Sequence, residues 1–448
     1  MENTVQEQMK SNASTSGISG TSEQKDAGFR GTGRRSGLLR ELILAAAVCA
    51  AVLALVLFLY TNLRSVLSSL RLGPDFLQDN ADLVTNGDEE VILPGASWLD
   101  TDGSTIQAHG GQVQLMPVPD GEGGTVEMYV WIGENKSSGH YGNSFAVYIS
   151  EDLYHWEYCG DVLQSVESRE QLDTDPYFTE LYAGYTEEEL DYVYECINTG
   201  TVMERPKMLY NESTGQYVIW FHSDDATDAN PSYNYDVGMA GVAVSDSPFG
   251  PFRFIGRSRL NECPDDQIDC YPTSKGEARD MNLFQDDDGT AYIVYSSENN
   301  KTLYISKLNE SYTGLSADPD EAVYGEDYIR LFPGSMREAP VLIKSDAGRY
   351  YLMSSGTTGW MSNQARVWSA DSIFGEWSND GNPCVGAGAG VTFDSQSTSI
   401  FRTKEGNWVY CGDRWYGSDL ADSRYIWLPV SFEGDQLTIT WETSWTVE

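Results

Sequence analysis

Basic residues are scarce in this chain of 448: 28 Lys and Arg stand against 68 Asp and Glu, a formal charge of −40. Six of the 28 fall within the first 40 residues, so the remainder holds 22 basic and 64 acidic side chains. A surface this acidic repels nucleic acid and anionic lipid, and both are discarded as partners. Cysteines spaced as CxxC are absent. Cys49 sits in an apolar run, while Cys159, Cys196, Cys263, Cys270, Cys384 and Cys411 are scattered, which argues against zinc. Cys263 and Cys270 bracket an acidic loop and are spaced to pair in an oxidising compartment; scattered buried thiols account for the pattern equally well. Helical periodicity is also nearly absent, with only the acidic stretch Glu187 to Tyr194 reading as helix.

One apolar run is long. Residues 1–40 are rich in Ser, Gly, Thr and Gln and read as a disordered tail. Arg30, Arg34, Arg35 and Arg40 then precede Leu42 to Tyr60, nineteen residues without a charge. At ~1.5 Å per residue that run matches a ~30 Å hydrocarbon core. The flanking arginines place the N-terminal side in the cytoplasm and the rest outside. A cleaved signal peptide is the alternative, but the run exceeds the usual ~7–15 residues and no small-x-small site closes it. The expected organisation is a cytoplasmic tail (1–41), a single N-terminal transmembrane anchor (42–63), a stalk (64–85) and an extracellular domain (86–448).

That domain is dominated by a repeat. Polar turns ending in Gly215, Gly289, Gly348 and Gly406 each precede a short apolar or aromatic strand, and these glycines fall 74, 59 and 58 residues apart. A further unit is expected at Asp120 to Gly124, followed by a long insertion from about Gln164 to Gly200. A second signature follows several hairpins: Tyr148 to Trp156, Val244 to Phe252 and Trp368 to Trp377. Repeated short strands at a near-constant period predict an all-β, five-bladed β-propeller. A β-sandwich would leave the glycine spacing unexplained. Aromatics are 12% of the chain; most are needed to pack strands, and some are expected to line a sugar-binding cleft.

In a propeller the first strand of each blade lines the central channel, so the residues leading into each hairpin converge on one face. They are Gln107 to Gly111 with Glu134 in blade one, Glu204 in blade two, Asp280 in blade three, Glu338 in blade four and Gln396 in blade five. Any one of these, taken alone, is better read as a solvated loop group. Carboxylates at one structural offset in three successive blades are less easily dismissed, and like-charge neighbours raise the pKa of an acid.

Several strings resemble family-43 glycoside hydrolases, and within them the exo-β-1,3-galactanases. They are IQAHGG from Ile106, ERPKMLYNESTGQYVIWFH from Glu204, RDMNLFQDDDGTAYIVYSSE from Arg279, REAPVLIKSDAGRYYLMSSGTTGW from Arg337, TFDSQST from Thr392 and GDRW from Gly412. The resemblance spans roughly residues 94 to 447. It implies a five-bladed propeller that inverts the anomeric centre, with Glu338 as catalytic acid and Asp280 as the carboxylate that orients it and tunes its pKa. Glu134, Glu204, Tyr235, Thr357 and Gly359 are similar to positions that hold the terminal galactose. Family members usually carry an Asp general base in blade one; here Gln107 stands there, and Gln396 is the matching group in blade five. Either Gln396 orients the water while Glu134 or Glu204 takes its proton, or the amide accepts it through an imidic tautomer, or Gln396 only binds a sugar hydroxyl. An acid and base ~6.5–9.5 Å apart are required for inversion, and Glu338 is expected to project into solvent. No cofactor is required; a structural calcium in the channel is compatible with the reading. The rivals are another exo-glycosidase of the family, acting on arabinose, xylose or differently linked galactose, and a non-catalytic surface glycan-binding propeller.

Overall fold

Gly215, Gly289, Gly348 and Gly406 adopt φ of +71°, +83°, +82° and +93°. This backbone is cheap only for glycine, and it closes the tight turn between the first two strands of a blade. The computed structural model describes residues 80–447 except 142–143, 226–234, 236, 265 and 268–275. The hairpins grow into five sheets; in four of them antiparallel strands are hydrogen-bonded in chain order, and in the fifth the short leading strand Cys384–Val385 instead pairs in parallel with the last strand, Gln436–Thr440. Blade one comprises β1 (His109–Pro119), β2 (Thr125–Glu134), β3 (Phe145–Ser150) and β4 (Glu157–Leu163). Blade two comprises β5 (Val202–Asn211), β6 (Gln216–Asp224), β7 (Met239–Ser245) and β8 (Arg253–Ser258). Blade three holds β9 (Arg279–Gln285), β10 (Ala291–Ser297), β11 (Thr302–Lys307) and β12 (Tyr328–Leu331), and blade four β13 (Arg337–Lys344), β14 (Tyr350–Gly356), β15 (Arg366–Ala370) and β16 (Ser378–Gly381). Blade five has β17 (Cys384–Val385), β18 (Gln396–Arg402), β19 (Trp408–Arg414), β20 (Arg424–Glu433) and β21 (Gln436–Thr440). The second sequence signature is the turn between third and fourth strands.

The first strands β1, β5, β9, β13 and β18 each touch the next, and β18 returns to β1. The ring is therefore closed. Apolar side chains fill the spaces between blades rather than within them: five separate clusters occupy the five blade-to-blade interfaces. The seam between blades one and five is the most aromatic, with Trp98 and Trp131 each 4.9 Å from Trp427 between ring centroids. Across it the Ile92 and Trp445 backbones hydrogen-bond, and Trp445 Nε1 donates to the Trp427 carbonyl at 2.9 Å.

Two features depart from the sequence reading, and one alternative it left open is resolved. The insertion carries three helices rather than one: α1 (Gln171–Thr174), α2 (Pro176–Leu181) and α3 (Glu187–Ile197). A capping box between Thr186 and Glu189 starts α3, which buries Leu190, Val193, Cys196 and Ile197 against blades one and two. The propeller also begins before residue 86, because buried Asn80 donates to the Pro94 and Thr443 carbonyls and Val84–Thr85 pairs with Ser97–Trp98. Cys263 is disulfide-bonded, whereas Cys159, Cys196, Cys384 and Cys411 are free thiols; Cys270 lies outside the described residues. Among the described residues no helix is long and apolar enough to cross a membrane, and the Leu42–Tyr60 run lies outside them.

Candidate active site

Every first strand breaks its ladder near its leading end. Two residues oppose one after His109, Glu204, Arg279 and Glu338, and the same fault falls one residue later, at Thr398, in blade five. The first bulged residue is left-handed in four blades: Gly110 (φ +60°), Arg205 (+54°), Asp280 (+45°) and Ala339 (+51°). Non-glycine residues held there cost of order 1–3 kcal/mol each, and they persist where surrounding structure over-determines them. The bulges turn these side chains from the ladder into the channel mouth.

The bulges also correct the sequence reading of a shared offset. Glu204 and Glu338 stand directly before the bulge, opposite His222 and Ser355. Asp280 is the bulged residue itself, with Arg279 before it. Blade two thus presents Glu–Arg and blade three Arg–Asp, so Arg205 and Asp280 are the structural equivalents. Arg205 Nε lies 3.8 Å from Asp280 Oδ1.

A cavity of about 250 Å³ opens here, lined by Glu134, Glu204, Tyr235, Asp280, Glu338 and Gln396 among others. At ~30 Å³ per liquid water that is roughly eight waters, the scale of one sugar ring. Gly359 lines the cavity as well, whereas Thr357 does not. Gln107 is buried away from it, its amide nitrogen donating to the Ala421 carbonyl at 2.8 Å.

Glu338 does not project into solvent; only 8% of it is exposed. Burial first, and then the neighbouring Asp280 charge, hold its carboxyl well above the ordinary glutamate value, against the opposing Arg205, Gln396 and Arg337. Asp280 Oδ2 accepts from the Ala339 backbone at 3.1 Å, which fixes it beside the acid. The expected gap between Glu338 and Gln396 is not found: Gln396 Nε2 donates to Glu338 Oε1 at 2.9 Å. The carbonyl end of the same amide accepts from Arg205 Nη1 at 3.2 Å and Trp415 Nε1 at 3.0 Å.

The floor of the cavity is a second ionic cluster. Tyr235 donates to Glu204 Oε1 at 2.6 Å, His140 Nε2 lies 2.8 Å from the Tyr235 hydroxyl, and His222 Nδ1 is 3.4 Å from Glu204 Oε2. Burial works to raise the Glu204 pKa, but hydrogen bonds from His140 and His222 and the charge of Lys136 hold it well below the ordinary value. His222 is pushed up to about 9: burial opposes protonation, and bonds to Asp224 and Glu204 outweigh it. Glu134 is raised by burial despite its ion pair with Lys136, and it accepts the Arg205 backbone N–H at 3.0 Å. Over the rim, Trp360 packs edge-on against Trp415 (5.2 Å) and His140 (5.3 Å). Such an edge of indoles and imidazole suits the apolar face of a sugar.

Sequence reasoning did not single out Lys136, His140, Arg205, His222, Asn300, Trp360 or Trp415. Two weak signals existed: His140 and His222 are half of the four histidines, and Arg205, His222, Trp360 and Trp415 lie inside the resembling strings.

The sequence profile of Glycosyl hydrolases family 43 matches residues 128–416. No curated protein matches the chain significantly. Among solved structures, a family-43 β-1,3-galactosidase with galactodeoxynojirimycin is 35% identical, with 79% of this chain and 100% of that chain covered and a TM-score of 0.63. An exo-β-1,3-galactanase from Phanerochaete chrysosporium, a Glu-to-Ala variant with β-1,3-galactotriose, is 31% identical over 80% of this chain and 68% of that one, TM-score 0.61. An exo-β-1,3-galactanase from Clostridium thermocellum is 31% identical, covering 79% and 66%, TM-score 0.59. With a closed five-bladed ring, a buried acid at its mouth and a family profile over most of the propeller, the chain belongs to glycosyl hydrolase family 43.

Proposed function

We propose that this protein is an inverting, exo-acting glycoside hydrolase that releases galactose from the β-1,3-galactan backbone of arabinogalactan. The observation that carries this reading is Glu338, a buried carboxyl whose pKa is raised by burial and by Asp280, at the edge of a cavity sized for one sugar. A protonated carboxylic acid is what the leaving glycosidic oxygen needs. A glycan-binding protein has no use for such an acid, which weighs against the non-catalytic rival. The likeness to a β-1,3-galactosidase bound to a galactose mimic and to a galactanase bound to β-1,3-galactotriose selects galactose over arabinose or xylose. In this reading Asp280 tunes and orients Glu338, while Glu134, Glu204, Tyr235 and Gly359 surround the terminal galactose. Thr357 belongs to the same loop as Gly359, and its place beside the terminal galactose rests on the family resemblance alone. Gln396, with both ends of its amide engaged, acts on the acid rather than as a free base, and the proton of the attacking water passes to Glu204, the neighbouring carboxylate whose pKa is held low.

The Leu42–Tyr60 run and the arginines before it support a single-pass anchor with the propeller outside the cell. Tethering holds the enzyme at the surface where polysaccharide arrives. The reaction as proposed needs no cofactor.

Product analysis on debranched arabinogalactan tests the reading. Free galactose, together with galactose carrying its 1,6-linked branch, is the expected product, formed first as the α-anomer by NMR. Release of arabinose or xylose, or no release from any glycan with folded protein, would overturn it.

A further inference from the structure

We propose that Trp415 is a positioning residue for the acid: it fixes the Gln396 amide and thereby selects which oxygen of Glu338 carries the proton. The proposal rests on the glycosidase reading above. Trp415 follows β19 by one residue, and its ring is set from two sides, by Trp360 at 5.2 Å and His109 at 5.8 Å between centroids. From that place its indole N–H reaches Gln396 Oε1 at 3.0 Å, where Arg205 Nη1 also arrives at 3.2 Å.

An indole N–H and a guanidinium donate and never accept. The amide therefore turns its oxygen toward them, and its NH2 is left facing Glu338 Oε1 at 2.9 Å. Reversing the amide would set N–H groups against two donors and strand all of them in a buried site. With Oε1 occupied as an acceptor, the acid proton of Glu338 resides on Oε2, which Asn300 Nδ2 approaches only to 3.4 Å. That oxygen is the one free to hand its proton to the leaving group. Were the amide to turn, its oxygen would accept the Glu338 proton and withhold it from the substrate.

The test compares wild type with Trp415→Phe, which keeps a ring against Trp360 and His109 but removes the N–H. On β-1,3-galactobiose the variant is expected to lose about ten-fold in kcat, the scale of one hydrogen bond, with KM within about three-fold. The alkaline limb of the pH profile should move to higher pH, since a lost N–H donor favours the protonated acid. Titration of a 13C-labelled Glu338 carboxyl should move the same way without any substrate. The isosteric 3-benzothienylalanine at position 415 repeats the comparison with the full bicyclic ring in place. An unchanged kcat and carboxyl titration would overturn the proposal, as would a rise in KM alone, which would make Trp415 a sugar platform. If wild type proved inert on galactobiose, the substrate reading would fail while the carboxyl titration still decided the role of Trp415.

Discussion

At the scale of single residues, two titrations divide the site. Glu338 is raised from 4.5 in the fold, so at low pH both folded and unfolded states hold its proton and it costs nothing. As pH rises past 4.5 the unfolded chain releases that proton first, and folded stability falls until the folded group ionises too. Glu338→Gln is therefore expected to abolish turnover by a few orders of magnitude while raising Tm, with the gain growing between pH 4 and 8 in scanning calorimetry. A Tm gap that is flat with pH would contradict the raised pKa. His222 behaves in the opposite sense. Its proton is stabilising below 6.5 and is lost through about 9, so wild type should lose stability between pH 7 and 10 that His222→Gln does not. Of these groups Glu338 and Asp280 were legible in the sequence, because each stands in a short motif ahead of a strand. Arg205, His140, His222 and Trp415 were not, since their roles arise only where side chains from different blades meet.

Among the elements, hairpins were the easiest to read. A positive-φ glycine after polar residues is a local demand, written within four residues of sequence. The short helices α1 and α2, of four and six residues, are below the length at which a 3.6-residue period can show. The bulges were invisible for a different reason: strict alternation predicts an unbroken ladder, and nothing local marks Arg205, Asp280 or Ala339 as left-handed. Hence the misplaced offset of Asp280. Close backbone approach gives a test at this scale. A Cβ on Gly133 of β2 would lie about 2.0 Å from the Ala108 carbonyl carbon, on backbone that cannot swing aside. Gly133→Ala is expected to cost more than about 2 kcal/mol in chemical denaturation, well above an ordinary surface change. An equally stable variant would mean that the first two strands of blade one pair more loosely than described.

For the whole molecule, the ring makes stability collective. Each apolar cluster needs two blades, and the seam between blades one and five needs both ends of the domain. Removing residues after Glu442 deletes Trp445 and Val447 from that seam, and is expected to lower Tm by several degrees while leaving a single cooperative transition. Two separate transitions would show that the blades unfold independently. The anchor belongs to this scale too: protease treatment of intact cells should release an active fragment beginning before Asn80. Full-length enzyme free in the medium would contradict the proposed tether. The five-bladed ring was readable from glycine spacing, but the contacts that seal it were not, because residues such as Ile92 and Trp445 lie more than 300 positions apart in sequence.

That seam also imposes a schedule. During synthesis the tryptophans of blade one leave the ribosome long before Trp427, which follows Trp131 by 296 positions. At ~5–20 residues per second, blade one waits roughly 15–60 s for its partner. Through that interval Trp98, Trp131 and Trp156 have one another but lack Trp427, the ring from blade five that all three contact. Gln396 and Trp415 arrive equally late, so the nascent chain has no assembled acid until its final blade emerges. The chain is made inert, and it becomes an enzyme only when its fifth blade joins the other four.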